Sequence, residues 1–96
     1  MAGISRTVVS LQPRKMEEVT KLIDSRAELV TGLEGNIGLA IAVTGEDEIT
    51  IISVYESSQN ARDASDTAQK IFAEMGPFVA SEPDRSVSSG VWFPAK

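Results

Sequence analysis

Residues 35–44 are apolar on both of the faces that a β-strand would present. Successive side chains of a strand point to opposite sides of the sheet. One side would therefore carry the large aliphatic residues Ile37, Leu39, Ile41 and Val43, and the other would carry Gly38, Ala40 and Ala42. A strand without a polar face has to be covered on both sides. The segment therefore predicts a sheet that is buried by helices on one face and by another surface on the other.

The remaining segments are predicted to supply three more strands and two helices. Residues 4–12 and 49–56 are rich in β-branched side chains, and residues 85–93 are expected to form the last strand. The short charged turn after residue 44 predicts that the second and third strands form an antiparallel hairpin. Apolar residues at three- and four-residue steps indicate the helices: Met16, Val19, Ile23, Ala27 and Val30 in the first, and Ala61, Ala64, Ala68, Ile71, Phe72 and Met75 in the second.

The order of these elements is βαββαβ, which is the order of an α+β, ferredoxin-like fold. It predicts a four-stranded antiparallel sheet with both helices on one face. Pro13 is predicted to lie at the start of the first helix. The N–H group that proline lacks would have no partner at that position. Ser57 or Ser58 is predicted to cap the second helix.

The sheet face without helices is predicted to be covered by a second copy of the chain. Residues 1–96 are expected to form one domain, and they contain neither cysteine nor histidine to supply disulfides or common metal sites. Oligomerisation is the stabilising device that remains, and a symmetric homodimer would pack sheet against sheet. The residues expected to extend this apolar face are Val9, Leu11, Ile51, Val91 and Trp92. A monomer whose open face binds another ligand is the alternative.

The net charge of −5 is unfavourable for binding nucleic acid or an anionic membrane. Residues 32–35 (GLEG) have the spelling of a KH-domain loop but hold an acid where a phosphate clamp uses basic residues. The RRM has the same element order, but here the third strand offers a single aromatic residue, Tyr55, for stacking on bases. The N-terminus has no signal-peptide pattern and no segment approaches the ~20 apolar residues of a membrane span. A cytoplasmic protein is predicted, with neither nucleic acid nor membrane as partner.

The absence of histidine and cysteine excludes Ser-His-Asp and Cys-His nucleophiles and haem or iron–sulfur ligation by these residues. Glu46, Asp47 and Glu48 lie in the hairpin turn, without the alternating oxygen ligands of a calcium loop. They are interpreted as a solvated tip. No metal and no cofactor is predicted.

Three residues are candidates for contacting a ligand, and each also has a structural interpretation. Trp92 is the only tryptophan and is interpreted first as packing area, and second as a wall of an aromatic pocket. Tyr55 either directs its hydroxyl into a pocket or ends its strand, and the two interpretations have equal weight. Asn36 fits a turn better than a substrate contact. Arg6 and Arg85 lie on strands, and which face they occupy is left open.

Three stretches of sequence carry a resemblance to a known family. They are the charged helix after the first strand, the Gly-Asn-Ile-Gly-Leu entry into the second strand at residues 35–39, and Tyr-Glu-Ser at residues 55–57. Over nearly its whole length the chain resembles the dimeric α+β barrel superfamily, and within it the antibiotic biosynthesis monooxygenase-like (ABM-like) family, which typically has Trp-Glu-Ser at the last of these places. The resemblance implies a homodimeric barrel with a pocket between sheet and helices in each subunit.

The resemblance leaves two functional hypotheses open. Many members of the family have a histidine early in the second helix, whereas residues 61–65 have none, so haem degradation is not expected. Some members oxygenate aromatic polyketides without metal or flavin, using asparagine and tryptophan. The first hypothesis is a dimer that binds a small hydrophobic or aromatic molecule, with Asn36, Tyr55 and Trp92 as weak candidates for the lining. The alternative is a cofactor-independent monooxygenase acting on an aromatic or polyketide-like substrate.

Overall fold

The computed structural model describes residues 1–94 and contains one antiparallel sheet in the strand order β2-β3-β1-β4. The strands are β1 (Ala2–Ser10), β2 (Asn36–Gly45), β3 (Glu48–Tyr55) and β4 (Asp84–Gly90). The helices are α1 (Met16–Thr31), α2 (Ser58–Asp63) and α3 (Ser65–Glu74), followed by a 3₁₀ turn at Gly76–Phe78. This is the predicted ferredoxin-like topology, and β2 and β3 form the predicted hairpin. No helix within residues 1–94 has the length and apolar character needed to cross a membrane.

The first helix begins later than Pro13, so the predicted start is wrong. Pro13 and Arg14 form a turn, and Arg14 has a φ of 67°. A residue in this left-handed region cannot continue into a right-handed helix. The helix therefore starts after it, at Met16.

The second predicted helix is two helices that meet at Ala64. The cap prediction is confirmed at Ser57, whose Oγ accepts a hydrogen bond from the backbone N–H of Asn60 at 3.1 Å. Ala64 has φ −75° and ψ −7°, which ends α2, and α3 begins at the next residue. The apolar stripe continues across the break, because Ala61, Ala64 and Ile71 are all buried.

Strand β4 ends at Gly90, three residues before the predicted end. Val91, Trp92 and Phe93 follow the strand without regular structure and are exposed, Phe93 to 86%. Only seven residues of β4 pair with β1, from Asp84 to Gly90. The predicted contribution of Val91 and Trp92 to the apolar sheet face is therefore wrong.

The strand register assigns every side chain of the sheet to one of two faces. Here the helix face is the side covered by α1, α2 and α3, and the open face is the opposite side. Val9, Leu11 and Ile51 pack in or against the helix-side core, so their predicted placement on the open face is wrong. The open face instead carries Ile4, Arg6, Val8, Thr50, Ile52 and Val54 at its centre, Ala40 and Ala42 towards β2, and Ser86 and Ser88 on β4. Arg6 is exposed and is opposite Ile52.

The core on the helix face consists of two clusters. The larger one joins β1 and β3 to α1 and α3, and its buried members are Val9, Leu11, Val19, Ile23, Ile49, Ile71 and Met75. Burying one such side chain stabilises the fold by about 1.5–3 kcal/mol. The smaller cluster contains Tyr55, Ala61 and Ala64 under α2. The space between the two clusters is not filled, and it forms a cavity.

Candidate ligand cavity

A cavity of about 50 Å³ lies between the helix face of the sheet and helices α1 and α3. Its apolar lining includes Ile23, Val30, Leu39, Ile51, Ile71 and Phe72. Ile23 and Ile71 also belong to the larger core cluster, and Tyr55 and Ala64 connect the cavity to the smaller one. The cavity is therefore a gap in the core beneath the helices, between the two clusters.

The floor of the cavity is polar because the two central strands place three hydroxyl side chains there. Ser5 and Ser53 are directly opposite each other in the pairing of β1 with β3, and Thr7 lies two residues from Ser5 on the same face. All three are buried and all three line the cavity. Burying a hydroxyl costs free energy unless it finds a partner, so an apolar residue would be the usual choice at these positions. The hydroxyls therefore indicate a site for a polar group.

Arg85 brings a positive charge to the same cavity. It is opposite Thr7 in the pairing of β1 with β4, which places it on the helix face. Its Nη1 donates to Ser65 Oγ at 2.9 Å and its Nη2 donates to the carbonyl oxygen of Ala61 at 2.8 Å. Both acceptors lie beside the junction of α2 and α3. One side chain of β4 therefore holds that junction and borders the cavity.

Arg26 of α1 also lines the cavity, but its charge is compensated. Its Nε donates to Glu74 Oε2 of α3 at 2.8 Å. The two side chains are 36% and 44% exposed, so the ion pair lies at the protein surface. It connects the two helices that cover the cavity.

The three residues proposed from sequence are not brought together. Tyr55 lines the cavity and is only 2% exposed. Asn36 pairs with Tyr55 across the β2–β3 ladder but does not line the cavity. Its Nδ2 is the only buried side-chain nitrogen or oxygen within residues 1–94 that has no hydrogen-bond partner. Trp92 lies beyond β4, is 39% exposed and does not line the cavity of its own chain.

The residues that sequence reasoning missed are Ser5, Thr7, Ser53 and the inward orientation of Arg85. The available signal was the alternation in β1, where Ser5, Thr7 and Val9 share one face. Two of these three side chains are polar, so the alternation by itself does not identify this face as buried.

The chemistry of the lining is that of hydrogen-bond donors. Among the described residues, the cavity is lined by hydroxyls, two guanidinium groups and apolar side chains, and by no carboxylate. Serine, threonine and tyrosine hydroxyls can donate or accept, whereas a guanidinium only donates. Such a lining can bind and polarise an oxygen-bearing group. Tyr55 is the one side chain in it whose ordinary chemistry includes proton transfer.

The fold and the cavity define a ferredoxin-like α+β domain, and solved structures share this fold. A protein from Nitrosomonas europaea, provisionally named an antibiotic biosynthesis monooxygenase, superposes with a TM-score of 0.81 at 14% identity, over 95% of this chain and 91% of that one. A protein with the same provisional name from Caulobacter crescentus gives 0.76 at 21% identity, over 95% and 91%. A dimeric ferredoxin-like protein from an uncultured marine organism gives 0.70 at 19%, over 98% and 93%.

These likenesses confirm the resemblance to ABM-like proteins at the level of the fold. No family model matches the sequence, and no curated protein matches it. At 14–21% identity the shared property is the course of the backbone. The function therefore has to be argued from the cavity itself.

Proposed function

We propose that this chain is a homodimeric small-molecule-binding domain whose ligand occupies the cavity between the sheet and helices α1 and α3. The observation that carries the proposal is the contrast between the two sides of the cavity. The helices and β2 contribute apolar walls, whereas the central strands contribute the buried hydroxyls of Ser5, Thr7 and Ser53. A hydrophobic or aromatic molecule with one polar end matches this contrast, since ligand sites are largely apolar with a few placed polar groups.

The size of the cavity requires the helices to move when a ring is bound. Its volume is about 50 Å³, whereas an engineered cavity that binds benzene is about 150 Å³. The sheet is held by backbone ladders on both sides of β1 and β3, so the helices are expected to move, and we propose that they separate along the seam between α1 and α3. The polar link across this seam is the surface ion pair of Arg26 and Glu74, and such pairs contribute only about 0–1 kcal/mol.

The homodimer is proposed to form through the open face. Ile4, Val8, Ile52 and Val54 form an apolar cluster there around Arg6, which is opposite Ile52, and Ile52 is 37% exposed in the single chain. Covering such a patch is the usual reason for sheet-to-sheet association. The marine structure with the same fold is described as dimeric, which supports a dimer here without specifying the face that pairs.

Cofactor-independent monooxygenase activity is the second candidate function. It is favoured by the provisional names of the structures from Nitrosomonas europaea and Caulobacter crescentus. Tyr55 is the proposed residue for moving a proton, and the predictions that Asn36 and Trp92 contact the substrate stay predictions. Oxygen uptake above background with anthrone-like or quinol substrates, reduced in Tyr55→Phe, would support this function. Uptake at background across the panel would exclude it for those substrates.

Filling the cavity tests the binding proposal. Ala68 lines the cavity from α3, whereas Ala73 on the same helix is exposed and lies outside it. Isothermal titration with a panel of small aromatic ligands should detect binding to the wild type, no binding to Ala68→Leu and unchanged binding to the matched control Ala73→Leu. Equal binding to both variants would place the ligand elsewhere and overturn the proposal.

A further inference from the structure

We infer that the ligand carries a carboxylate, which Arg85 binds inside the cavity. This inference rests on the proposed function, because it specifies the chemical class of the molecule in the same cavity.

No carboxylate within residues 1–94 neutralises the charge of Arg85 through an ion pair. Its two hydrogen bonds are to a hydroxyl and to a backbone carbonyl, neither of which carries a formal charge. The ion pairs found within residues 1–94 are Lys21–Glu17 and Arg26–Glu74, so no described carboxylate pairs with Arg85. A half-buried charge without a counter-charge is costly, and an anion beside it removes that cost. The cavity therefore favours a negatively charged group.

The donors needed to bind a carboxylate are present on one side of the cavity. A guanidinium has five N–H groups, and the two recorded bonds of Arg85 leave others available. Thr7 is the register partner of Arg85, and Ser5 and Ser53 line the same floor. Charge-assisted hydrogen bonds from a guanidinium to a carboxylate are about twice as strong as neutral ones. Arg85 would supply the charge and the hydroxyls would supply the remaining donors.

The available volume agrees with a carboxylate and not with a ring. A cavity needs a volume of about 10–15 Å³ to hold one water molecule. A cavity of about 50 Å³ therefore holds a group of three or four heavy atoms. The carboxylate would occupy the existing cavity, and the hydrocarbon part would lie against Leu39 and Phe72 once the helices separate.

The acidic residues near Arg85 line a neighbouring groove and not the cavity. Glu82 and Asp84 line a surface groove between α3 and β4 that shares Phe72 and Arg85 with the cavity. Asp84 is opposite Val8 in the β1–β4 ladder, so it alternates in direction with Arg85. An anion is repelled from this groove, which leaves the cavity side of the guanidinium as the binding position.

Matched pairs of an acid and its amide test the inference. Isothermal titration at pH 7 with benzoate and benzamide, and with phenylacetate and phenylacetamide, isolates the contribution of the charge. The wild type should bind each acid at least tenfold more tightly than its amide. Arg85→Gln should abolish this preference, Arg85→Lys should keep part of it, and Arg62→Gln, which removes an exposed arginine of α2 outside the cavity, should keep all of it.

The possible results separate this inference from the proposed function. If acids and amides bind equally and Ala68→Leu still blocks both, the cavity binds small molecules and the carboxylate inference is overturned. If no member of the panel binds the wild type, the proposed function fails for these ligands and the inference fails with it. If Arg85→Gln does not fold, Ser53→Ala provides a second test that leaves the α2–α3 junction intact, and it should weaken acid binding several-fold more than amide binding.

Discussion

The guanidinium of Arg85 donates from Nη2 to the carbonyl oxygen of Ala61 across 2.8 Å, which connects strand β4 to helix α2. In an uninterrupted helix this carbonyl would accept the backbone N–H of Ser65. Helix α2 ends before Ala64 instead. Arg85 donates hydrogen bonds both to the Ala61 carbonyl and to the Ser65 hydroxyl. Arg85 satisfies the carbonyl group that the interruption between α2 and α3 exposes.

Removing this side chain should destabilise the fold. Arg85→Gln loses hydrogen bonds from a charged donor and leaves the Ala61 carbonyl without that partner, so we expect the free energy of unfolding to fall by about 2 kcal/mol. Urea denaturation followed by circular dichroism measures the change. Arg62→Gln, an exposed arginine on α2, should change the stability by less than about 0.5 kcal/mol. Equal effects of the two substitutions would show that Arg85 does not hold the junction.

Breaking the ion pair between Arg26 and Glu74 should affect ligand entry more than stability. Glu74→Gln removes a surface pair, so the loss of unfolding free energy should be below about 1 kcal/mol. The same change frees α1 from α3, so the association rate of a ligand measured by stopped flow should rise. Glu17→Gln breaks the exposed Lys21–Glu17 pair within α1 and is the control, with no expected effect on the rate. An unchanged rate in Glu74→Gln would contradict opening along the α1–α3 seam.

Strand β1 and the start of α2 approach so closely that only glycine fits at position 3. A Cβ on Gly3 would collide with the carbonyl oxygen of Ser57 and lie 2.6 Å from Ser58 Cα. Since both are backbone atoms, Gly3→Ala should lower the stability by about 1–3 kcal/mol, the usual cost of overpacking. At Gly76 an added Cβ meets nothing within 4 Å, so Gly76→Ala should be close to neutral. Thermal unfolding of the two variants compares them directly, and similar melting temperatures would contradict the close approach.

A charge at the centre of the open face should dissociate the proposed homodimer. Ile52 lies on that face, whereas Val43 is 67% exposed on the helix side of the edge strand β2. Ile52→Lys places a second positive charge opposite Arg6 and should give the mass of a monomer in light scattering at several concentrations. Wild type and Val43→Lys should give the mass of a dimer. A monomeric wild type would show that the proposed sheet-to-sheet dimer is wrong. The open face would then be a site for a different partner.

The parts of the fold that local physical chemistry determines were predictable from sequence. The β2–β3 hairpin follows from two apolar segments around a charged turn, and the Ser57 cap follows from a serine placed before a helix. The faces of β1 and β3 were not predictable, because Ser5, Thr7 and Ser53 are polar yet buried. Their position depends on the cavity, which arises from the packing of distant helices. The face occupied by the Arg85 side chain is not predictable for the same reason, since its acceptors lie 20 and 24 residues away in the chain.

Binding of a small molecule in the cavity can be tested by titrating ¹⁵N-labelled protein with ligand and following two-dimensional NMR spectra. The panel of small aromatic acids and amides described above serves as ligand. We expect saturable shifts of the backbone amides of Ser5, Ser53 and Arg85 beside the cavity. The shifts at Ile52 and Val54, whose side chains lie on the open face, should be smaller. Saturable shifts centred on the open face, or none with any member of the panel, would contradict the account.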